Sequence, residues 1–354
     1  MTGATRIELL RELVELESPT GDTGAIAARL ERELELLGAT VERDGAHLVG
    51  DVPGDGAPLL VLAHMYTVWP LGTLAAMPWR VDDGRAFGPG AYDMKAGIVI
   101  MLDAVTRAGT TRALRLVVTG DEEIGSPDGR RVLARVADGA AAALVVEPPG
   151  ADGHLKTARK GLGRFAVRVT GRPAHASAAA SGVSAIEELA HQVLRLQAAG
   201  DPDRGTSFNV GVVSGGTGEN VVAAEALARV DVRVARAEDR DEVERFLGSL
   251  EPVLEGTSIE VGGGWTRPPL ERSPGSDALF AAARRHGLEL GLDLEQTSSG
   301  GGSDGNLVGA LGVPVLDGLG ALGGGAHAPD EHVELASLEV RAELLARILR
   351  DPGI

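Results

Sequence analysis

The stretch GRFAVRVTG, residues 163–171, alternates apolar and polar side chains. That period of two belongs to a strand with one covered and one open face. Reading outward from it, SAIEELAHQVLRLQAAG (184–200) has the spacing of an amphipathic helix. SFNVGVVSGG (207–216) and ALARVDVRVA (226–235) read as strands, DRDEVERFLGSL (239–250) as a second helix, and TSIEVGG (257–263) as a last strand. The order β-α-β-β-α-β is the split βαβ, or ferredoxin-like, arrangement.

On both sides of this block the pattern is different. Residues 4–17 and 22–38 read as amphipathic helices separated by SPTGD (18–22), a turn with capping residues. Strands are expected near 39–51, 59–64, 81–88, 113–119 and 142–147, with helices near 94–108 and 127–137. Apolar strands alternating with helices predict an α/β layered domain with a largely buried sheet. The pattern resumes after the block with a helix (276–288), a glycine-rich loop, a short strand (313–319) and a C-terminal helix. The expected organisation is therefore a discontinuous domain of residues 1–159 and 269–354 with residues 160–268 inserted into it.

The 354-residue chain is 44% hydrophobic and 24% charged, with a formal net charge of −17. Such an acidic balance argues against nucleic acid or an anionic membrane surface as partner. The absence of cysteine excludes disulfides, thiolate metal sites and cysteine nucleophiles. Any metal must be held by His, Asp and Glu, which suits zinc, manganese and similar ions. The N-terminal stretch does not read as a signal peptide, and no apolar run is long enough to span a bilayer. The expected location is the cytoplasm.

Four places put histidines or carboxylates where strands are expected to end: His64 after LVLA, Asp93 in GPGAYDMKAG, Glu122 and Glu123 in VVTGDEEIGS, and Glu147 in LVVEPPG; a fifth candidate, His327 in GGGAHAPDE, lies in a glycine-rich loop. Each also has an ordinary reading. Asp93 can cap the helix that follows it, adjacent glutamates are common on exposed helix faces, and a lone histidine is usually structural. As a set they differ, because charged groups at the ends of apolar strands are seldom retained unless paired or metal-bound.

These segments resemble the zinc-dependent aminoacylase and carboxypeptidase family, in particular its glutamate carboxypeptidase branch. HMYTVWPLGTL (64–74), GRAFGPGAYDMKAG (84–97), TGDEEIGS (119–126), GGGSDGN (300–306) and GGGAHAPDEHVE (323–334) occur in the order of that branch's signatures. The resemblance implies a mixed-sheet α/β di-zinc peptidase domain with an inserted ferredoxin-like (βαββαβ) lid and dimerisation domain. It implies two zinc ions, with manganese or cobalt as substitutes. Asp93 would bridge them, His64 and Glu147 would complete one shell, and Glu123 and His327 the other. Glu122 would be the general base, and His175 in GRPAHASAA would reach across a homodimer interface to an oxyanion. Asn220 in GGTGENVV and Arg267 in GWTRPPLE would contact substrate, the arginine through a carboxylate. Gly301, Gly302 and Ser303 would line the pocket for that carboxylate.

One position departs from the pattern. The family places an aspartate two residues after its first histidine, to orient that ligand, and this chain has Tyr66. A neutral phenol is a poor substitute for a carboxylate, and its ring is expected to overshoot. Tyr66 therefore joins Glu122 and His175 among the candidate catalytic positions, and it leaves open whether two, one or no metal ions are held. Two functions follow. One is a hydrolase of the amide bond in an N-acyl or peptidyl C-terminal amino acid. The other is a repurposed relative that binds a ligand without turnover or forms amides by acyl transfer.

Overall fold

The computed structural model describes residues 1–109 and 111–354. They divide into two compact units: Met1–Ala158, Arg272–Ser299 and Ser303–Ile354 form the first, and Arg159–Glu271 with Gly300–Gly302 the second.

A six-stranded sheet forms the centre of the first unit. Its strands lie in the order Thr40–Asp44, His47–Val52, Arg112–Thr119, Asp55–His64, Ala142–Val145 and Val315–Leu316. The first two run antiparallel to their neighbours, and the remaining pairs are parallel. Leu59 to Ala63 are buried, as a parallel strand covered on both faces requires. Helix Ala96–Ala108, buried over most of its length, and helix Leu335–Arg350 pack beside the sheet in one continuous apolar core.

Several expected elements change in detail. The strand read at 39–51 is a hairpin, Thr40–Asp44 and His47–Val52, turning at Gly45 with φ of 63°. The strand read at 81–88 is likewise two short strands, Arg80–Asp82 and Arg85–Phe87, joined through Asp83 and Gly84. The latter pair with Gly323–Gly324 and His332–Glu334 in a second, four-stranded sheet. Leu155–Arg159 pairs with Gln296–Ser299, and the sequence reading has neither strand. Both are short and carry no strong alternation. The helix read near 94 begins at Ala96, after a wide turn, Ala91–Lys95, inside which Asp93 and Met94 have non-helical torsions. Asp93 is therefore not the cap of that helix.

The second unit is a four-stranded antiparallel sheet in the order Ser207–Gly215, Glu225–Val234, Gly161–Thr170, Ser258–Arg267. Helices Ala185–Ala198 and Ala237–Gly248 cover one face, burying Leu189, Leu196, Val243 and Leu247 against Phe165, Val167 and Val169. With strands numbered by their sequence order in this unit, the spatial order is 2-3-1-4, that of the ferredoxin-like arrangement. Among the described residues no helix is long and apolar enough to cross a membrane.

Candidate metal centre

His64, Glu122 and Glu147 follow or end three adjacent parallel strands of the main sheet. His64 closes Asp55–His64 and pairs with Thr119, after which the chain turns into Glu122–Ile124. On the other side Val146 continues the ladder by donating to the Leu62 carbonyl (3.1 Å), which delivers Glu147. Carboxyl ends of parallel strands are where open α/β sheets place ligands. Asp93 arrives from the turn before helix Ala96–Ala108. Gly97 lets that helix approach closely, since a Cβ there would lie 2.0 Å from the Val146 carbonyl oxygen. Gly90, at φ of 72°, sits so close to Thr67 that a side chain would clash. His327 lies in the loop between Gly323–Gly324 and His332–Glu334, in the left-handed region at φ of 61°. That sheet pairs it with Arg85–Phe87, the strand leading to Asp93.

Asp93 faces both histidines. Its Oδ1 is 3.2 Å from His64 Nε2, and its Oδ2 is 3.4 Å from His327 Nε2. His64 Nε2 is also 3.5 Å from Glu147 Oε1, and His327 Nε2 is 3.0 Å from Glu123 Oε1. Donor atoms held 2.0–2.1 Å from a tetrahedral zinc ion are about 3.3 Å apart. The spacings on both sides of Asp93 fit that edge, so the residues suit two ions of this size. Glu122 has a carboxylate oxygen within 4.8 Å of donor atoms of His64 and Glu147. Four carboxylates and two neutral imidazoles give a charge that two divalent cations would neutralise.

The electrostatics agree. Burial alone would lower the pKa of His64, but hydrogen bonds to Asp93 and Glu147 and the nearby Glu122 charge hold it well above its ordinary value. His327 is raised to about 10 by Asp93 and Glu123. Burial would raise the Asp93 pKa, yet the two histidines hold it far below the usual carboxylate range. In the absence of metal, protons on the imidazoles supply the positive charge that these carboxylates require.

Tyr66 orients His64 in an unexpected way. The His64 Nδ1 lies 2.9 Å from the Tyr66 main-chain oxygen, an acceptor only. Nδ1 therefore always carries a proton, which leaves Nε2, the nitrogen facing Asp93 and Glu147, as the one that a metal ion would take in exchange for its proton. The expected contest between a phenol and a carboxylate does not arise, because the backbone does the orienting. The ring is buried, 2% exposed, rather than projecting outward. Burial raises the phenol's pKa, with Thr20 as a hydrogen-bonding neighbour, so it stays neutral.

Several residues absent from the sequence reading hold the centre together. Glu331 is 1% exposed and accepts four N–H groups. Trp69 Nε1 (2.8 Å) and Gly90 N (2.9 Å) reach Oε2, and Tyr92 N (3.0 Å) and Asp93 N (3.1 Å) reach Oε1. Burial raises its pKa against those bonds. Buried Lys95 donates to the Leu16 carbonyl (2.9 Å), and burial lowers its pKa to about 7 against the charges of Glu331 and Glu17. Asp121 accepts from the amides of Asp128 and Gly129, and Asp304 from the hydroxyls of Thr119 and Ser126, bracing the Glu122–Glu123 turn. Of these, Glu331 had a visible signal, four residues from His327 in the same motif.

The remaining candidates separate. His175 and Asn220 are exposed neighbours in the second unit: His175 pairs with Val221, and Ala176 N donates to the Asn220 carbonyl (2.9 Å). Arg267 is buried at the end of its strand in the same unit. It is pressed against Gly302, where a Cβ would lie 2.6 Å from Arg267 Cδ. Arg159 donates to the carbonyls of Gly301 and Gly302. Ser303 follows Gly302 in the chain. Its fully buried hydroxyl donates to Asp317 (2.6 Å) and caps helix Asp304–Gly309 by accepting from Gly305 N, in a capping box with Asn306.

The sequence profile described as Peptidase family M20/M25/M40 matches residues 60–351. Carboxypeptidase G2 of Pseudomonas sp. (strain RS-16) is 33% identical over 373 residues, spanning 98% of this chain and 89% of that protein. A succinyl-diaminopimelate desuccinylase of Rhodospirillum centenum is 32% identical over 379 residues, 94% of this chain and 93% of its own. Among solved structures, a tripeptidase of Staphylococcus aureus superposes with a TM-score of 0.86 at 24% identity, covering 100% of this chain and 99% of that one.

Proposed function

The chain belongs to peptidase family M20/M25/M40 and is a metal-dependent amide hydrolase, and on that premise we propose that it cleaves N-acyl or peptidyl C-terminal amino acids. One observation carries the site assignment: the two oxygens of Asp93 face different imidazoles, 3.2 Å and 3.4 Å away. Asp93 would be shared between the two ions, with His64 and Glu147 holding one and Glu123 and His327 the other. Two divalent cations, when bound, would polarise the scissile carbonyl and acidify water.

The protein's own groups then do the rest. Glu122 takes a proton from the attacking water as oxygen adds to the carbonyl carbon. When the C–N bond breaks, the same carboxyl returns that proton to the departing amine. Arg267, with the closely packed Gly302 and its neighbour Gly301, holds the substrate carboxylate, and Asn220 positions the chain beside it. His175, exposed on residues 160–268, stabilises the oxyanion of a partner's site in a cytoplasmic homodimer. The Tyr66 carbonyl supports hydrolysis over the repurposed reading, since His64 keeps a fixed tautomer without an aspartate.

The test is hydrolysis of a panel of acyl-amino acids by zinc-loaded protein, with C-terminal amides as controls. Cleavage of free-carboxylate substrates and not of the amides is expected. Failure on the whole panel with two zinc ions bound per chain would exclude simple hydrolysis.

A further inference from the structure

The inserted sheet leaves one face without helices, and its register sorts the arginines. Along Gly161–Thr170 the outward positions are Leu162, Arg164, Ala166 and Arg168. Opposite them on Glu225–Val234 stand Arg233, Asp231, Arg229 and Leu227. One arginine therefore occurs in each of four successive rows: Arg233, Arg164, Arg229, Arg168. Rows are two residues apart, a step of roughly 6.6–6.8 Å.

The four are not equally engaged. Arg233 is paired with Asp231 at 2.6 Å and donates to the Gly300 carbonyl. Arg168 has Glu225 at 3.8 Å and Glu260 opposite it on Ser258–Arg267. Arg164 and Arg229 have no carboxylate partner within 4.0 Å among the described residues. Ala166, opposite Arg229, floors an open depression of about 470 Å³, lined also by Arg168, Asn209, Leu227 and Asp231, whose carboxylate is held by Arg233. Phe165 is the one aromatic among the lining residues, and its ring offers no open face for stacking bases. Phe165 and Trp265 turn to the helix side, edge to face at 5.7 Å, where Trp265 donates to Glu244. In a chain of net charge −17, two unpaired guanidinium groups beside a depression are an anion-binding arrangement.

We propose that this face binds a short acidic peptide in extended conformation. Side chains on one side of such a peptide recur every second residue, which matches the step from Arg164 to Arg229. The depression over Ala166 takes the intervening backbone. The site is built from the second unit alone and goes beyond the hydrolase reading without depending on it.

The test is calorimetry on the full metal-loaded chain with acetyl-Glu-Ala-Glu-Ala-Glu-amide, whose blocked C-terminus offers the proposed catalytic site no free α-carboxylate. Binding at one peptide per chain is expected, weakening with added salt, with none for the glutamine analogue. The double variant Arg164→Gln, Arg229→Gln should bind about tenfold more weakly or worse, while Arg245→Gln on the helix side should not change binding. Ala166→Glu, which places a carboxylate in the depression, should also weaken it. Equal affinity for the glutamine peptide, undiminished binding by either face variant, or equally tight binding of oligoadenylate would overturn the proposal.

Discussion

The His64 imidazole is oriented by a main-chain atom: its Nδ1 lies 2.9 Å from the Tyr66 carbonyl oxygen. The hydrogen bond is the same whatever side chain position 66 carries. Tyr66→Phe should therefore leave zinc affinity within about threefold, well short of the 10–100-fold typical when an orienting partner is lost. Tyr66→Asp should gain no more than about threefold by the same argument. Competition with a fluorescent chelator measures both. A large gain for the aspartate variant would make Tyr66 the lesion of an impaired site.

Glu122 and Glu123 are adjacent but are assigned different work. Glu122→Gln should lower kcat by about 10²–10⁴-fold while metal content stays at that of the parent. Glu123→Gln should lose metal. Elemental analysis beside steady-state kinetics separates the two. Metal loss in the Glu122 variant would make it a ligand instead, a role its closeness to His64 and Glu147 permits.

Glu331 accepts two N–H groups on each oxygen. Glutamine offers one acceptor and one donor, so its amide would confront two N–H groups whichever way it turned. Glu331→Gln should weaken metal binding by about 10–100-fold through displacement of Asp93. Trp69→Phe, which removes one donor and leaves three, should cost far less. Equal effects of the two would show that general packing, rather than the carboxylate's grip on the Asp93 turn, matters.

Loading the centre should release protons. With the His327 pKa at about 10 and His64 well above its ordinary value, both imidazoles are doubly protonated at neutral pH without metal. Binding two zinc ions should expel one proton from each, so apparent affinity should rise with pH. Calorimetry in buffers of different ionisation enthalpy counts them. In the metal-free chain the sign reverses for stability. His327 has a folded pKa above its free value of 6.5, so its contribution is complete below pH 6.5 and is lost as pH rises through about 10.

The sequence shows some of this and hides the rest for physical reasons. The inserted unit is legible because alternation over 163–171 and the helix periods around it depend only on which side chains face the core. The convergence of His64, Glu122 and Glu147 is legible because each follows an apolar strand. Tyr66 is misleading, since a main-chain acceptor leaves no trace in residue identity. The Ser303 cap has a sequence signature, a serine with Asn306 three residues on, but that spacing recurs too often to single it out. Glu331 stands in the His327 motif, but residue identity does not show that its carboxylate collects four N–H donors.

His64 stands level with Thr119, and on its other side Val146 extends the same ladder by donating to the Leu62 carbonyl. The ladder acts as a ruler for the chemistry: strands about 4.8 Å apart set the interval between the groups that follow them. Loops beyond the strand ends can lengthen or shorten without altering that interval. One residue inserted between Leu59 and Ala63 would carry His64 to the opposite face of the sheet, dismantling the centre with every ligand still present in the chain.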